Sequence, residues 1–143
     1  MPEGTGPIRY RTSLRGIRAE QLLGFFDGWL EPPSPETHLS ILRNSDAVIL
    51  AVEPEGGRVV GFINAITDRT LMAFIPLLEV LPDYRRRGIG EALVRRMAAR
   101  LERFYAVDLV CDPALQRFYL KIGFMPCTAM ALRRYDRQAG LGR

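Results

Sequence analysis

The spacing of apolar positions changes several times along the chain, and each change marks an element. "IRYRTS" (Ile8 to Ser13) alternates as a short strand, while "RAEQLLGFFDGW" (Arg18 to Trp29) puts Leu22, Phe25, Phe26 and Trp29 at helical spacing. The prolines of "LEPPSPETH" break that pattern. Ser34, ahead of Pro35 at a first helical position, can cap a second helix running to about Arg43. "AVILAVE" (Ala47 to Glu53) is β-rich, "PEGG" turns, and "RVVGFINAITD" (Arg58 to Asp68) returns as the second arm of a hairpin. "LMAFIPLLEV" (Leu71 to Val80) is a further strand, closed by Pro82, which cannot donate to a ladder. From about Ile89 to Arg103 a helix carries Ile89, Leu93, Met97, Leu101 and Phe104 on one side, a stripe that must face a sheet. "AVDLVCD" (Ala106 to Asp112) is a strand and "PALQRFYLKI" (Pro113 to Ile122) a helix opened by proline and ended at Gly123. "CTAMALRRY" (Cys127 to Tyr135) reads as a last strand. This order predicts an α/β (α+β) layered domain, a mostly antiparallel sheet with helices on both faces.

Length and composition add that 143 residues, 48% of them hydrophobic, make one domain over 1–143, with 1–7 and 138–143 expected as flexible tails. The start lacks the apolar stretch of a signal peptide, and no run approaches the roughly eighteen residues of a membrane span, so a soluble cytoplasmic protein is expected. Two cysteines, Cys111 and Cys127, are too few for a disulfide framework, and both are expected as small buried hydrophobes. The net charge is only +4, which does not by itself argue for nucleic acid. Its distribution is uneven. Arg85 to Arg103 holds seven arginines against Glu91 and Glu102, 7 − 2 = +5.

That cluster opens with "YRRRGIGEALVRR" (Tyr84 to Arg96), where Gly88 and Gly90 fall where a helix begins. The first turn of a helix leaves amide donors unsatisfied at the positive end of its dipole, and glycines let a phosphate approach the backbone. Arg85, Arg86 and Arg87 add charge-assisted donors. A Walker A loop fails for want of Gly-Lys-Ser/Thr, and a dinucleotide fingerprint would want glycine at Leu93. A nucleic-acid surface has little support, since the aromatics that would stack bases lie at core-facing positions. A glycine-shaped corner flanked by solvated arginines is the plain alternative.

Two segments together carry a resemblance. "LLEVLPDYRRRGIGEALVRRM" resembles motif A of the GNAT superfamily of acyl-CoA-dependent N-acyltransferases, Gln/Arg-x-x-Gly-x-Gly/Ala, here Arg85-x-x-Gly88-x-Gly90. About thirty residues on, "LQRFYLKIGF" resembles the motif B segment, with Phe118-Tyr119 followed by Gly123-Phe124. The resemblance implies a GNAT-like fold, a sheet of six to seven strands whose central parallel pair splays apart near Val80 and Cys111. It implies acetyl-CoA as co-substrate and no metal. Backbone groups of Leu78 and Val80 would meet the pantetheine arm, amides of Arg86, Arg87, Gly88, Ile89, Gly90 and Glu91 would wrap the pyrophosphate, and Arg85 and Phe118 would complete the cofactor side.

The reaction implied is attack of an amine on a thioester, and each step makes a demand. A phenol near pKa 10 can protonate a departing thiolate whose conjugate acid is near 8.5. Tyr119 matches the family's general-acid position, although Leu115, Phe118, Tyr119 and Ile122 form one stripe in which a tyrosine could be core. For the base, Glu79 is the only carboxylate in its apolar strand, yet by alternation it faces away from Leu78 and Val80, unless a bulge resets the parity; a structural ion pair is its other reading. Asp112 ends its strand where relatives often carry asparagine and is read as positioning a water or the amine, and the lone histidine, His38, is expected on the surface near the acceptor mouth; a water-relayed proton or uptake of the rare neutral amine stands equally beside any single base. The partners implied are acetyl-CoA and an amine, small molecule or peptide, without membrane or nucleic acid, and a homodimer is left open. A CoA sensor without catalysis, or a basic nucleic-acid module, remains the alternative.

Overall fold

The structure, a computed structural model, describes residues 6–141, so the outermost parts of both expected tails fall outside it. Its elements are β1 (Arg9–Arg11), α1 (Pro35–Arg43), β2 (Ala47–Val52), β3 (Val59–Thr67), β4 (Met72–Phe74), β5 (Leu78–Val80), α2 (Ile89–Arg100), β6 (Ala106–Asp108) and α3 (Gln116–Leu120). They form a six-stranded sheet in the order β1-β2-β3-β4-β6, with β5 also on β3; every pairing is antiparallel except β4 with β6. No described helix is long and apolar enough to cross a membrane.

β2 is buried along its whole length and β3 along most of it, because helices cover both faces of the sheet. Neighbouring residues on a strand point to opposite faces. Phe62 meets the His38 ring of α1 at 4.4 Å, whereas a Cβ on Gly61 would lie 3.2 Å from Leu93 and 3.3 Å from Ile89 of α2. Glycine at 61 therefore lets α2 sit close to the sheet. α1 begins as expected, with the Ser34 hydroxyl accepting from the Thr37 amide at 3.1 Å.

Several expectations need correction. The helix read over Arg18 to Trp29 is one 3-10 turn, Ala19–Leu22. Gly24, Phe26 and Gly28 then adopt φ of 94°, 65° and 82°, which an α-helix excludes. Leu22, Phe25 and Phe26 are nonetheless buried, so the spacing reported burial and not a helix.

The single strand read over Leu71 to Val80 is β4 and β5, separated by a bulge. Phe74 pairs with Ile66, but Leu78 pairs with Ile63, so three residues, Ile75 to Leu77, oppose two on β3. Pro76 brings no N–H to a ladder, and the Leu77 amide is taken by the Asn64 side-chain oxygen at 3.0 Å. Asn64, 2% exposed, also donates to the Ser45 hydroxyl at 3.0 Å. The bulge resets the parity: Phe74 and Glu79 now share the α1 face with Phe62, while Leu78 and Val80 face α2.

Cys127 to Tyr135 is not a strand. From Met125 to Arg137 the chain is exposed and makes no ladder, and among the described residues the parallel pair ends the sheet instead of lying at its centre. Strand propensity becomes structure only through pairing, and this segment joins none of the described strands. Cys127 is accordingly exposed and Cys111 half-buried, against the expectation that both are core. Within the expected tail, Gln138 accepts from the Glu31 amide at 3.4 Å and a Cβ on Gly140 would meet Thr37 at 3.0 Å, while Leu141 is exposed.

His38 is the other correction, being 1% exposed and enclosed by Phe25, Phe26 and Phe62. Neither ring nitrogen has a hydrogen-bond partner among the described residues, and burial lowers its pKa to about 4 from the usual 6.5. Between those values the unfolded chain binds a proton that the folded chain refuses. This group's contribution is therefore complete above pH 6.5 and is lost as pH falls toward 4, by on the order of 3 kcal/mol. In urea titrations His38→Leu should flatten the fall in stability between pH 6.5 and 4; curves parallel to the parent's would contradict the burial assignment.

Candidate active site

Beyond the bulge β5 no longer follows β4, and Leu109 to Asp112 leave β6 without a ladder partner, so the sheet opens. The resulting cleft encloses about 360 Å³ and is lined by Leu77 and Leu78 on one wall, Cys111, Asp112 and Tyr119 on the other, and Trp29 at its rim. Arg133 also reaches its lining. Tyr119 is 8% exposed, its ring set edgewise against Phe118 at 4.9 Å and Phe124 at 5.6 Å. It is thus both core and cleft wall. Burial first, and Cys111 second, push its hydroxyl up to about 12, so it stays protonated at any working pH.

At the end of β5 the chain turns through Pro82–Tyr84 into α2, with Arg86 at φ 63° and Gly88 at φ 81°. The Ala92 amide bonds the Gly88 carbonyl at 3.0 Å, but the amides from Arg86 to Glu91 have no acceptor among the described residues. They are six donors at the positive end of a twelve-residue helix. A Cβ on Gly90 would stand 3.8 Å from Phe118 and 3.8 Å from Val80, so the end of β5, the start of α2 and α3 converge there. Ile89 is buried and anchors this corner to the core.

The arginines divide. Arg85 turns back, donating through Nε to the Val80 carbonyl at 3.0 Å and approaching Asp27 at 3.4 Å, so its side chain braces the corner and does not point at the free amides. Arg87 lies 5.1 Å over the Tyr84 ring, Arg96 lies 4.3 Å over Tyr10, and Arg86 is exposed. Glu91 pairs with Lys121 of the turn after α3 at 2.8 Å and with Arg95 at 3.5 Å; the Lys121 hydrogen bond foremost holds its carboxyl below the usual range. That pair ties α2 to α3.

Glu79 turns to the α1 face, where its two carboxylate oxygens accept from the amides of Phe26 at 2.8 Å and Asp27 at 3.0 Å. It holds the left-handed bend at Phe26 in place. Asp112 is exposed at the cleft, just ahead of the Pro113–Leu115 turn. His38 lies apart, lining a second cavity of about 260 Å³ with Phe25, Phe26 and Pro33. The rings of Phe26 and Trp29, 5.0 Å apart, stand between the two cavities. Trp29 and Arg133 were not among the site residues read from sequence, since spacing had placed one on a helix stripe and the other in a strand. No described group of three or more His, Cys, Asp or Glu side chains is placed to hold a metal ion.

The site thus consists of a cleft with a buried phenol in its wall and, at the neighbouring corner of β5, α2 and α3, free helix-start amides. Residues 14–124 match the family model for the acetyltransferase (GNAT) family, and the chain belongs to that family. It is 46% identical to a proposed acetyltransferase from Deinococcus radiodurans R1, whose structure superposes with a TM-score of 0.92 over 95% of this chain and 94% of that one. It is 25% identical to the uncharacterized N-acetyltransferase ycf52 of Pyropia yezoensis, over 81% of this chain and 70% of that protein. An aminoglycoside N-acetyltransferase AAC(6')-Iy solved in complex with CoA shares the fold, at 18% identity and a TM-score of 0.66 over 94% of this chain and 97% of that one.

Glu79→Gln replaces an acceptor of two amide bonds by a group that accepts one and sets a donor against the other amide. Stability should fall by about 1–3 kcal/mol in urea titration. The acid limb of the pH–rate profile should stay where it is; its disappearance would make Glu79 a proton acceptor and overturn the anchoring role.

Proposed function

We propose that the protein transfers the acetyl group of acetyl-CoA to a primary amine, by direct attack while both substrates are bound. The observation that carries this reading is a cleft walled by a buried phenol beside a corner, where β5, α2 and α3 meet, that carries six unspent amides. The amides of Arg86 to Glu91 suit the pyrophosphate, and the positive φ at Gly88 with open space around it leaves that approach clear. The exposed Arg86 is free to add charge, while Arg85 supports the corner from behind. Leu78 and Val80 offer the β5 backbone alongside the pantetheine arm, which would bring the thioester toward Tyr119.

An alkyl amine of pKa about 10.4 is neutral in about one molecule in 2,500 at pH 7, so its proton must be lost before or during attack. Of the carboxylates considered, Asp112 lines the cleft while Glu79 is committed to two amides. Asp112 therefore holds the incoming ammonium and accepts its proton directly or through water. The amine nitrogen bonds to the acetyl carbon, the carbon–sulfur bond breaks, and the Tyr119 hydroxyl protonates the leaving thiolate. A phenol raised to about 12 is a weak acid for a thiol near 8.5 in water. The same burial that raises the phenol also raises a thiolate expelled beside it, which narrows the gap.

Removing only the hydroxyl in Tyr119→Phe keeps the ring packing against Phe118 and Phe124. Turnover with a responsive amine should drop by about 10² to 10⁴ while the KM for acetyl-CoA moves far less. The defect should shrink with an acyl donor whose thiol is more acidic. Turnover within about threefold of the parent, with chemistry rate-limiting, would remove Tyr119 from the reaction. If instead the parent binds acetyl-CoA but acetylates no amine, the chain is a sensor and not a catalyst.

A further inference from the structure

The cleft carries two opposite charges that the protein does not spend on each other. Asp112 and Arg133 both line it, one just ahead of the Pro113–Leu115 turn and the other on the exposed stretch that follows Phe124. Both residues are exposed, and among the described residues neither enters an ion pair. The charges of the neighbouring corner are matched instead, Arg85 with Asp27 and Lys121 with Glu91.

Between the two charges the lining is mostly apolar. Trp29 is 38% exposed, Val110 47% and Leu115 47%, and the buried Ile75 also reaches the cleft. Large apolar side chains gathered at one opening and rimmed by charge mark a binding surface. A ligand that covers them all has three parts: an ammonium for Asp112, an anionic group for Arg133 and an apolar body for the wall between. A lone guanidinium presents a planar pair of donors that fits one carboxylate. The amides from Arg86 to Glu91 belong to residues outside the cleft lining, so Arg133 stands apart from the place proposed for the pyrophosphate.

We infer that the acceptor is a free amino acid with an apolar side chain, its amine beside Asp112 and its carboxylate on Arg133, a reading that rests on the acetyl transfer proposed for the same cleft. The amine nitrogen bonds to the acetyl carbon as the carbon–sulfur bond breaks, one proton leaves toward Asp112, Tyr119 protonates the thiolate, and the carboxylate is unchanged. A peptide offers its terminal amine with no carboxylate next to it. A polyamine brings a second positive charge to Arg133, where like charges repel.

The test compares steady-state acetylation of apolar L-amino acids, each beside its primary amide and its decarboxylated amine, which keep the side chain and lose the negative charge. At least one amino acid should exceed both of its counterparts by about tenfold or more in kcat/KM. Arg133→Gln should abolish that preference, chiefly by raising the KM for the amino acid, while the KM for acetyl-CoA stays within about twofold. Arg134→Gln removes the neighbouring charge, which does not line the cleft, and should keep the preference. Amides or amines acetylated as well as their acids, or a preference that survives Arg133→Gln or falls equally with Arg134→Gln, overturn the inference and leave acetyl transfer standing. A KM for acetyl-CoA that rises in Arg133→Gln as far as the KM for the amino acid places Arg133 on the cofactor and also overturns it. If acetyl-CoA binds and no amine of any class reacts, the inference falls together with the proposed function.

Discussion

The bond from the Leu77 amide to the Asn64 side-chain oxygen is the point on which the rest of the architecture turns. It satisfies the amide that the bulge around Pro76 would leave stranded in the interior, and so makes a break in the sheet affordable there. Because three residues oppose two, β5 leaves the line of β4, the edge strand stays with β4, and a cleft opens between them. The same extra residue turns Glu79 to the α1 face, within reach of the Phe26 and Asp27 amides. One side chain in the centre of β3 thereby governs the width of the cleft and the placing of the segment over its far side.

The α2 corner and the neighbouring cleft differ in character. At the corner, open backbone amide donors are held by a twelve-residue helix packed close over Gly61. Much of the arginine charge is occupied elsewhere, on the Val80 carbonyl, on tyrosine rings and on Glu91. Around Tyr119 the lining is mixed, with Leu77, Leu78 and Leu115 beside Asp112 and Arg133, and burial keeps the phenol protonated.

The fold class, the hairpin, the α1 cap and the glycine corner were legible in the sequence because each rests on local chemistry: alternation, a serine before proline, glycines at a helix start. What was not legible depends on distant partners. Leu22, Phe25 and Phe26 are spaced as on a helix, but positive φ at residues 24, 26 and 28 buries them from an irregular chain held by Glu79, 53 residues away from Phe26. Nothing near His38 announces that three phenylalanines enclose it. Cys127 to Tyr135 has strand composition without a strand, since composition supplies no pairing edge and the segment joins none of the described strands. Among the candidate residues, Tyr119 and Asp112 both line the cleft, whereas Glu79 and Arg85 each meet Asp27 as braces.

The central claim, that the start of α2 and the end of β5 receive acetyl-CoA in a cleft walled by Tyr119, is tested most directly by titrating acetyl-CoA into isotope-labelled protein and following the backbone amides by NMR. The account predicts the largest shifts at Arg86 to Glu91, with further shifts at Leu78, Val80 and Cys111, and little change across β1 and the β1–β2 pairing. Saturable binding that leaves Gly88 and Gly90 unmoved while shifting amides elsewhere would contradict it.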